Sequence, residues 1–249
     1  MLYQTLDPVA FSVGPFSIRW YGLIFAFGIF ISFFILRHLA RKRKLNLSDR
    51  DFDELLVISV PSIIIGARLG SVISEFSHYA SSPLEIFAIW NGGLAFHGGL
   101  AGLVLSGIIF SRRKKISFYS LADLAVIPIA LALSLGRIAN FINGEFYGTP
   151  TSLPWGVKFA GVDGFRHPVQ LYESFKNFLI FAALWLLRNK SLPPGFLFWL
   201  FIILYSGFRF ITEFYKDLPA LMLGFTWGQL WSIPLFILGV FMLFRLRKS

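Results

Sequence analysis

Seven apolar stretches of near-membrane length constrain this chain more than any other feature. They run approximately 18–40, 52–76, 93–110, 118–141, 168–187, 195–215 and 226–244. About 20 predominantly apolar residues in helical form cross the hydrocarbon of a bilayer. The pattern therefore predicts an all-α membrane protein of about seven transmembrane helices. Charge content agrees, since only 14% of the 249 residues are charged, where a soluble domain carries roughly a quarter. The chain has no cysteine, so it can supply no disulfide, thiolate ligand or thiol nucleophile of its own.

Where the charges lie gives an orientation. Arg37, Arg41, Lys42, Arg43, Lys44 and Arg50 follow the first stretch, and Arg112, Arg113, Lys114 and Lys115 the third. Arg188 and Lys190 follow the fifth, and Arg245, Arg247 and Lys248 the seventh. These are 15 of the 23 Lys and Arg, all in alternate connections and the C-terminal tail. The positive-inside rule makes that side cytoplasmic, with the N-terminus outside and the C-terminus inside. The net charge of +10 thus reports orientation, and nucleic acid drops out as a partner. The N-terminus lacks the layout of a cleavable signal peptide, because its first basic cluster follows the first apolar stretch. No repeat, low-complexity tract or linker is evident. A single polytopic membrane domain over 1–249 is expected, with a small outer lobe in the connection 142–167 between the fourth and fifth helices.

The remaining polar residues gather at one leaflet. Arg19 and Tyr21 open the first span, Arg68 lies about two turns inside the second, and His97 stands near the start of the third. Arg137 and Asn140 close the fourth, just before Glu145 and Gly148. Arg166, His167, Gln170 and Glu173 lead into the fifth, Arg209 and Glu213 close the sixth, and Gln229 opens the seventh. Charged and amide groups at membrane depth cost a few kcal/mol each on insertion scales and are usually kept for a site. Arg137 and Asn140, three apart, share a helix face, as do Arg209 and Glu213, four apart. Arg68, Arg137 and Arg209 would together make a cationic pocket, and guanidinium forks suit phosphate oxygens. The anion within reach of a leaflet is a phospholipid headgroup. Blander roles stand beside these. Arg19 reads as an interfacial anchor, Tyr21 as part of an aromatic belt with Trp20, and His97 as a helix-entry residue. Glu173 with Arg166 reads as a rim salt bridge. A transporter of anions also gathers arginines, but should carry inverted repeats and midplane polar residues. Another phospholipid-headgroup enzyme would share the arginine pocket.

The stretch 136–148, Gly-Arg-Ile-Ala-Asn-Phe-Ile-Asn-Gly-Glu-Phe-Tyr-Gly, resembles the signature of the bacterial prolipoprotein diacylglyceryl transferases. Further matches follow in order: Trp20-Tyr21-Gly22-Leu23, Gly66-Ala67-Arg68-Leu69-Gly70, the run 90–99, the run 166–173 from Arg166-His167 to Tyr172-Glu173, Phe208-Arg209 through Glu213-Phe214, and Gly228-Gln229 with Ser232-Ile233-Pro234. The resemblance implies a seven-spanning protein of the bacterial inner membrane with its active site facing the outer leaflet. It implies transfer of the diacylglyceryl group from phosphatidylglycerol to the lipobox cysteine of a prolipoprotein signal peptide. A thioether forms and glycerol 1-phosphate leaves, the first step of lipoprotein maturation. It carries importance onto Tyr21, His97, Arg137, Asn140, Glu145, Gly148, Arg209 and Glu213. Two departures stand out: Ala139 replaces the signature's middle glycine, and the segment from Gly148 to Arg166 is short.

That chemistry suits the residue types. The thiolate is the reactive species of a cysteine with reference pKa about 8.5. Arg137 and Arg209 would bind the phosphate and stabilise the charge developing on it, with Asn140 on headgroup or glycerol oxygens and Glu213 orienting Arg209. A histidine is suited to take a proton near neutral pH, which makes His97 the candidate base. Tyr21 is the rival, a phenol being less suited by its reference pKa of about 10. No cofactor is needed, and no acidic or histidine cluster has convincing metal-ligand spacing.

Overall fold

The computed structural model describes residues 2–14, 16–89, 92–221 and 224–247. Trp90, which begins one of the matching runs, and Lys248 of the C-terminal basic group lie outside the described residues. Seven helices of 18 to 26 residues follow one another: α1 (Trp20–Lys42), α2 (Asp49–Ser74), α4 (Phe96–Arg113), α5 (Phe118–Asn143), α6 (Val169–Leu187), α7 (Phe196–Glu213) and α8 (Trp227–Leu246). A short helix, α3 (Phe76–Ser81), follows α2. Five of them, α1, α2, α5, α7 and α8, are long and apolar enough to cross a membrane. Glycines, His97 and the Arg112–Arg113 pair dilute α4, and α6 carries Gln170, Glu173, Lys176 and Asn177 in its first half.

The chain forms two compact units, 1–36 with 123–249 and 37–122. Both boundaries fall inside continuous helices, α1 and α5. In the unit 37–122, α2 begins on a capping box. The Ser48 hydroxyl accepts the Asp51 N–H at 3.4 Å, and the Asp51 carboxylate accepts the Ser48 N–H at 2.7 Å. Against α2 packs α4, backbone on backbone: a side chain at Gly98 would strike the Gly66 carbonyl, and one at Gly102 the Ser62 carbonyl. Small residues allow such close crossings where lipid gives no hydrophobic drive between helices.

In the other unit α6 packs on α7 and α7 on α8. The buried Asp123 carboxylate of α5 accepts the Gly195 and Phe198 N–H groups, each at 2.8 Å, and so closes the otherwise orphaned N-terminal donors of α7. The structure also holds β-structure that apolar periodicity does not announce. A hairpin of β2 (Val9–Val13) and β3 (Phe16–Arg19) leads straight into α1, and β1 (Leu2–Tyr3) pairs in parallel with β4 (Val157–Lys158). The connection between α5 and α6 is a folded lobe. Val157 and Arg166 exchange backbone hydrogen bonds at 2.9 Å, Thr151 N–H donates to Phe165 O at 2.9 Å, and Thr149 N–H donates to Tyr215 O at 2.9 Å.

Candidate active site

Two of the sequence-selected residues of the larger unit, Arg137 and Arg209, meet two buried carboxylates. Glu173 of α6 and Glu213 of α7 are 1% and 2% exposed, and each is surrounded by cations. Glu173 Oε1 accepts the Thr212 hydroxyl at 2.7 Å and lies 3.1 Å from Lys176 Nζ and 3.4 Å from Lys216 Nζ. Its other oxygen, Oε2, lies 3.4 Å from Arg137 Nε yet takes part in no hydrogen bond among the described residues. Glu213 Oε2 pairs with Lys216 at 2.8 Å and stands 4.0 Å from Arg209 Nε. Glu213 Oε1 accepts the Thr226 hydroxyl at 3.2 Å.

A continuous chain of charges results: Arg137, Glu173, Lys216, Glu213, Arg209, with Lys176 beside Glu173. Four cations meet two carboxylates, a surplus of two positive charges in a low-dielectric setting. The four are held differently. Lys176 is buried, whereas the side chains of Arg137 and Arg209 are 26% and 29% exposed. Arg137 donates no hydrogen bond among the described residues, and Arg209 donates only a long one of 3.4 Å to the Tyr205 hydroxyl. Two guanidinium forks are thus anchored through charge with their donors largely open.

Two pairings differ from the sequence expectation. Glu173 makes no rim salt bridge with Arg166, which instead binds Asp217 at 2.7 Å. Glu173 points inward because α6 turns its polar face, Gln170, Glu173, Lys176 and Asn177, into the protein. Glu213 holds Lys216 more closely than it holds Arg209, since Lys216 just beyond the end of α7 reaches back over the last turn. Lys176, Lys216, Thr212 and Thr226 did not emerge from the sequence. The legible signal was the repeated Glu-x-x-Lys spacing, Glu173 to Lys176 and Glu213 to Lys216, which sets opposite charges one turn apart.

Asn140 and Glu145 meet each other. Asn140 Nδ2 donates to Glu145 Oε1 at 2.8 Å and Asn143 Nδ2 does so at 3.4 Å, while Gln170 Nε2 donates to Glu145 O at 2.7 Å. The turn 144–148 that leaves α5 is thereby tied to α6, with Gly144 in the left-handed region at φ +69°. Gly148 allows a close approach: a Cβ there would collide with Tyr215 O and Val169 Cγ2 and come within 2.9 Å of His167 Cβ. Gln229 serves α8 as the acid-amide half of a capping box with Thr226. Tyr21 is an exposed residue of α1, its ring stacked along Phe25.

His97 and Arg68 belong to the other unit. His97 is an exposed residue of the first turn of α4. Arg68 is 6% exposed, and its guanidinium is occupied by carbonyls. Nε donates to Ile86 O at 2.9 Å, Nη1 to Gly92 O at 2.6 Å and Gly93 O at 3.0 Å, and Nη2 to Ala88 O at 3.2 Å and to Glu85 O. Its face covers the Tyr79 ring at 5.0 Å. Five donors meeting five carbonyls make Arg68 the organiser of the segments 85–88 and 92–93.

The chain is similar to known proteins over nearly its whole length. The profile of the family described as prolipoprotein diacylglyceryl transferase matches residues 8–245. A phosphatidylglycerol–prolipoprotein diacylglyceryl transferase of Geobacter sulfurreducens is 42% identical over 97% of this chain and 96% of its own. The protein of the same name from Desulfotalea psychrophila is 42% identical over 96% and 94%, and that from Bordetella bronchiseptica is 37% identical over 95% and 94%.

Proposed function

The chain belongs to the prolipoprotein diacylglyceryl transferase family, and we propose that it carries out this transfer with the Arg137–Arg209 pair as its phosphate clamp. It moves the diacylglyceryl group from phosphatidylglycerol to a prolipoprotein. The observation that carries the clamp is the unequal holding of the four cations. Lys176 and Lys216 answer the buried carboxylates, and Arg137 and Arg209 are left with open forks. Open guanidinium donors in a site poor in water bind phosphate oxygens bidentately.

The acceptor is the lipobox cysteine. Its thiol loses a proton, and the sulfur attacks the glycerol carbon that bears the phosphate ester. The C–S bond forms as the C–O bond breaks, giving a thioether and glycerol 1-phosphate. The phosphate goes from one negative charge toward two. Two guanidinium forks held at the phosphate favour the more charged state, which is how fixed charge lowers a barrier. Asn140 and Glu145, bonded to each other, shape the turn on which the headgroup glycerol rests, and Gly148 keeps that turn against the lobe. Glu213 holds Arg209 through charge. His97 takes the thiol proton, with Tyr21 as the rival for that role. Arg68 is left out of the clamp, its donors being taken.

The setting is a bacterial inner membrane crossed seven times, with α4 and α6 completing the set, the N-terminus outside and the site at the outer leaflet. The buried polar face of α6 supports counting it as a span, because polar groups turned toward protein are tolerated at membrane depth. Purified protein given phosphatidylglycerol and a lipobox peptide lipidates the cysteine, and a Cys-to-Ser peptide stays unmodified. Equal modification of both peptides would put the acceptor elsewhere.

A further inference from the structure

Lys176 is a costly residue that no step of this reaction requires. It lies on the buried polar face of α6, 4% exposed. Its Nζ is 3.1 Å from Glu173 Oε1 but donates no hydrogen bond among the described residues. It also sits over the Tyr205 ring at 4.9 Å. A buried ion pair usually fails to recover its desolvation cost unless its geometry is good. Here the carboxylate has other cations in Lys216 and Arg137, so a third is not needed to keep Glu173 charged.

The asymmetry between the two oxygens of Glu173 gives Lys176 a purpose. Oε1 is crowded by Thr212, Lys176 and Lys216, and Oε2 carries only the unbonded approach of Arg137. A carboxylate whose charge is already answered on one side attracts a guanidinium weakly on the other. We propose that Lys176 is a positioning residue for the transfer: by answering Glu173, it keeps Arg137 out of a closed ion pair and its fork open to the donor phosphate. Tyr205 joins this to the second arm of the clamp, since its ring faces Lys176 and its hydroxyl accepts from Arg209. The inference rests on the reading of Arg137 as a phosphate ligand.

The test compares Lys176→Met, Lys176→Met with Glu173→Gln, and Arg137→Ala, each assayed as folded, detergent-extracted protein with phosphatidylglycerol and a lipobox peptide. Without Lys176 the guanidinium closes onto Glu173 and must be freed when the phosphate binds, a cost incurred at binding and carried unchanged into the transition state. KM for phosphatidylglycerol should rise about tenfold with kcat within about threefold of the parent. The KM for peptide should not move. Removing the Glu173 charge as well should release Arg137 and bring KM back to within about threefold of the parent, because coupled neighbours are non-additive. A merely structural lysine would give no such recovery. An unchanged KM in Lys176→Met, or a double variant as impaired as the single one, overturns the inference. If Lys176→Met does not extract folded, the double variant decides alone: a near-parental KM supports the proposal, and a KM raised more than about tenfold contradicts it. Normal activity in Arg137→Ala would instead sink the underlying reading of the clamp.

Discussion

Arg137 Nε and Glu173 Oε2 stand 3.4 Å apart, with no hydrogen bond on that oxygen among the described residues. The pair is close enough for the carboxylate to fix where the guanidinium lies, and loose enough to leave its donors available. Arg209 repeats the arrangement with Glu213 at 4.0 Å. In both pairs a lysine takes the closer position on the carboxylate: Lys176 on Glu173 and Lys216 on Glu213. On the proposed reading the lysines act as counter-charges and the arginines as phosphate ligands, which matches their chemistry. A point charge neutralises, and a planar fork recognises.

Arg68 gives the first prediction. Arg68→Met leaves five carbonyls of the segments 85–88 and 92–93 without their donors and should cost about 3 kcal/mol or more of stability, read as a lower thermal midpoint. Lysine should not restore it, having three donors on one atom. At low temperature, where the variant is still folded, KM for phosphatidylglycerol should stay within about threefold of the parent. A raised KM with an unchanged midpoint would return Arg68 to the phosphate pocket.

His167 gives a pH dependence. It lies in the lobe, with Nδ1 3.1 Å from the Tyr172 hydroxyl and its ring against Tyr215. Burial lowers its pKa from the ordinary 6.5. The unfolded chain therefore binds a proton that the folded lobe resists. This contribution to stability is complete above 6.5 and is lost as pH falls through 6.5 toward the depressed folded value. Hydrogen exchange at the Gly148 and Thr149 amides, which bond to His167 O and Tyr215 O, should quicken over that window beyond any intrinsic change. His167→Gln should flatten the response, and an equal response in that variant would assign it to another group.

Much of the fold was legible because lipid demands it. The expected spans 118–141 and 168–187 meet α5 (Phe118–Asn143) and α6 (Val169–Leu187) within two residues, and 195–215 brackets α7 (Phe196–Glu213). The start of α2 moved from 52 to Asp49 because Ser48 and Asp51 form a cap, a polar signal that apolar counting passes over. The β2–β3 hairpin escaped because its strands are too short to stand out in apolar counting, and the β1–β4 pair because it joins strands far apart in the sequence. In the site, Arg137, Asn140, Arg209 and Glu213 stood out by spacing. Lys176 did not, being hidden in an apolar run, and Arg68 stood out for a role its geometry does not support. A sequence shows that an arginine is buried, but not which carbonyls are folded around it.

The proposed base makes a kinetic prediction. His97→Asn should lower the transfer rate by roughly 10²–10⁴-fold while phosphatidylglycerol still binds. The deficit should shrink as pH approaches the thiol's own value of about 8.5, where thiolate forms unaided. Tyr21→Phe should do harm without that recovery if Tyr21 only positions the headgroup. A His97→Asn deficit that stays constant over the same range would remove the base assignment.

The proposed orientation is open to chemistry because the chain has no cysteine. Ser152→Cys and Asp217→Cys should react with an impermeant thiol reagent in intact cells. Ser48→Cys and Asn189→Cys should react only once the membrane is opened. The reverse pattern would place the basic connections outside, against the positive-inside reading.

The phosphate clamp is the central claim, and steady-state transfer by Arg137→Ala and Arg209→Ala tests it most directly. Each substitution removes a charge-assisted contact made in a site of low dielectric. Each should cost about 3 kcal/mol of transition-state stabilisation, on the order of a hundredfold in rate, in protein that still inserts and extracts folded. Lysine at either position should recover little of this, because it lacks the fork. Near-parental transfer by both alanine variants would contradict the account.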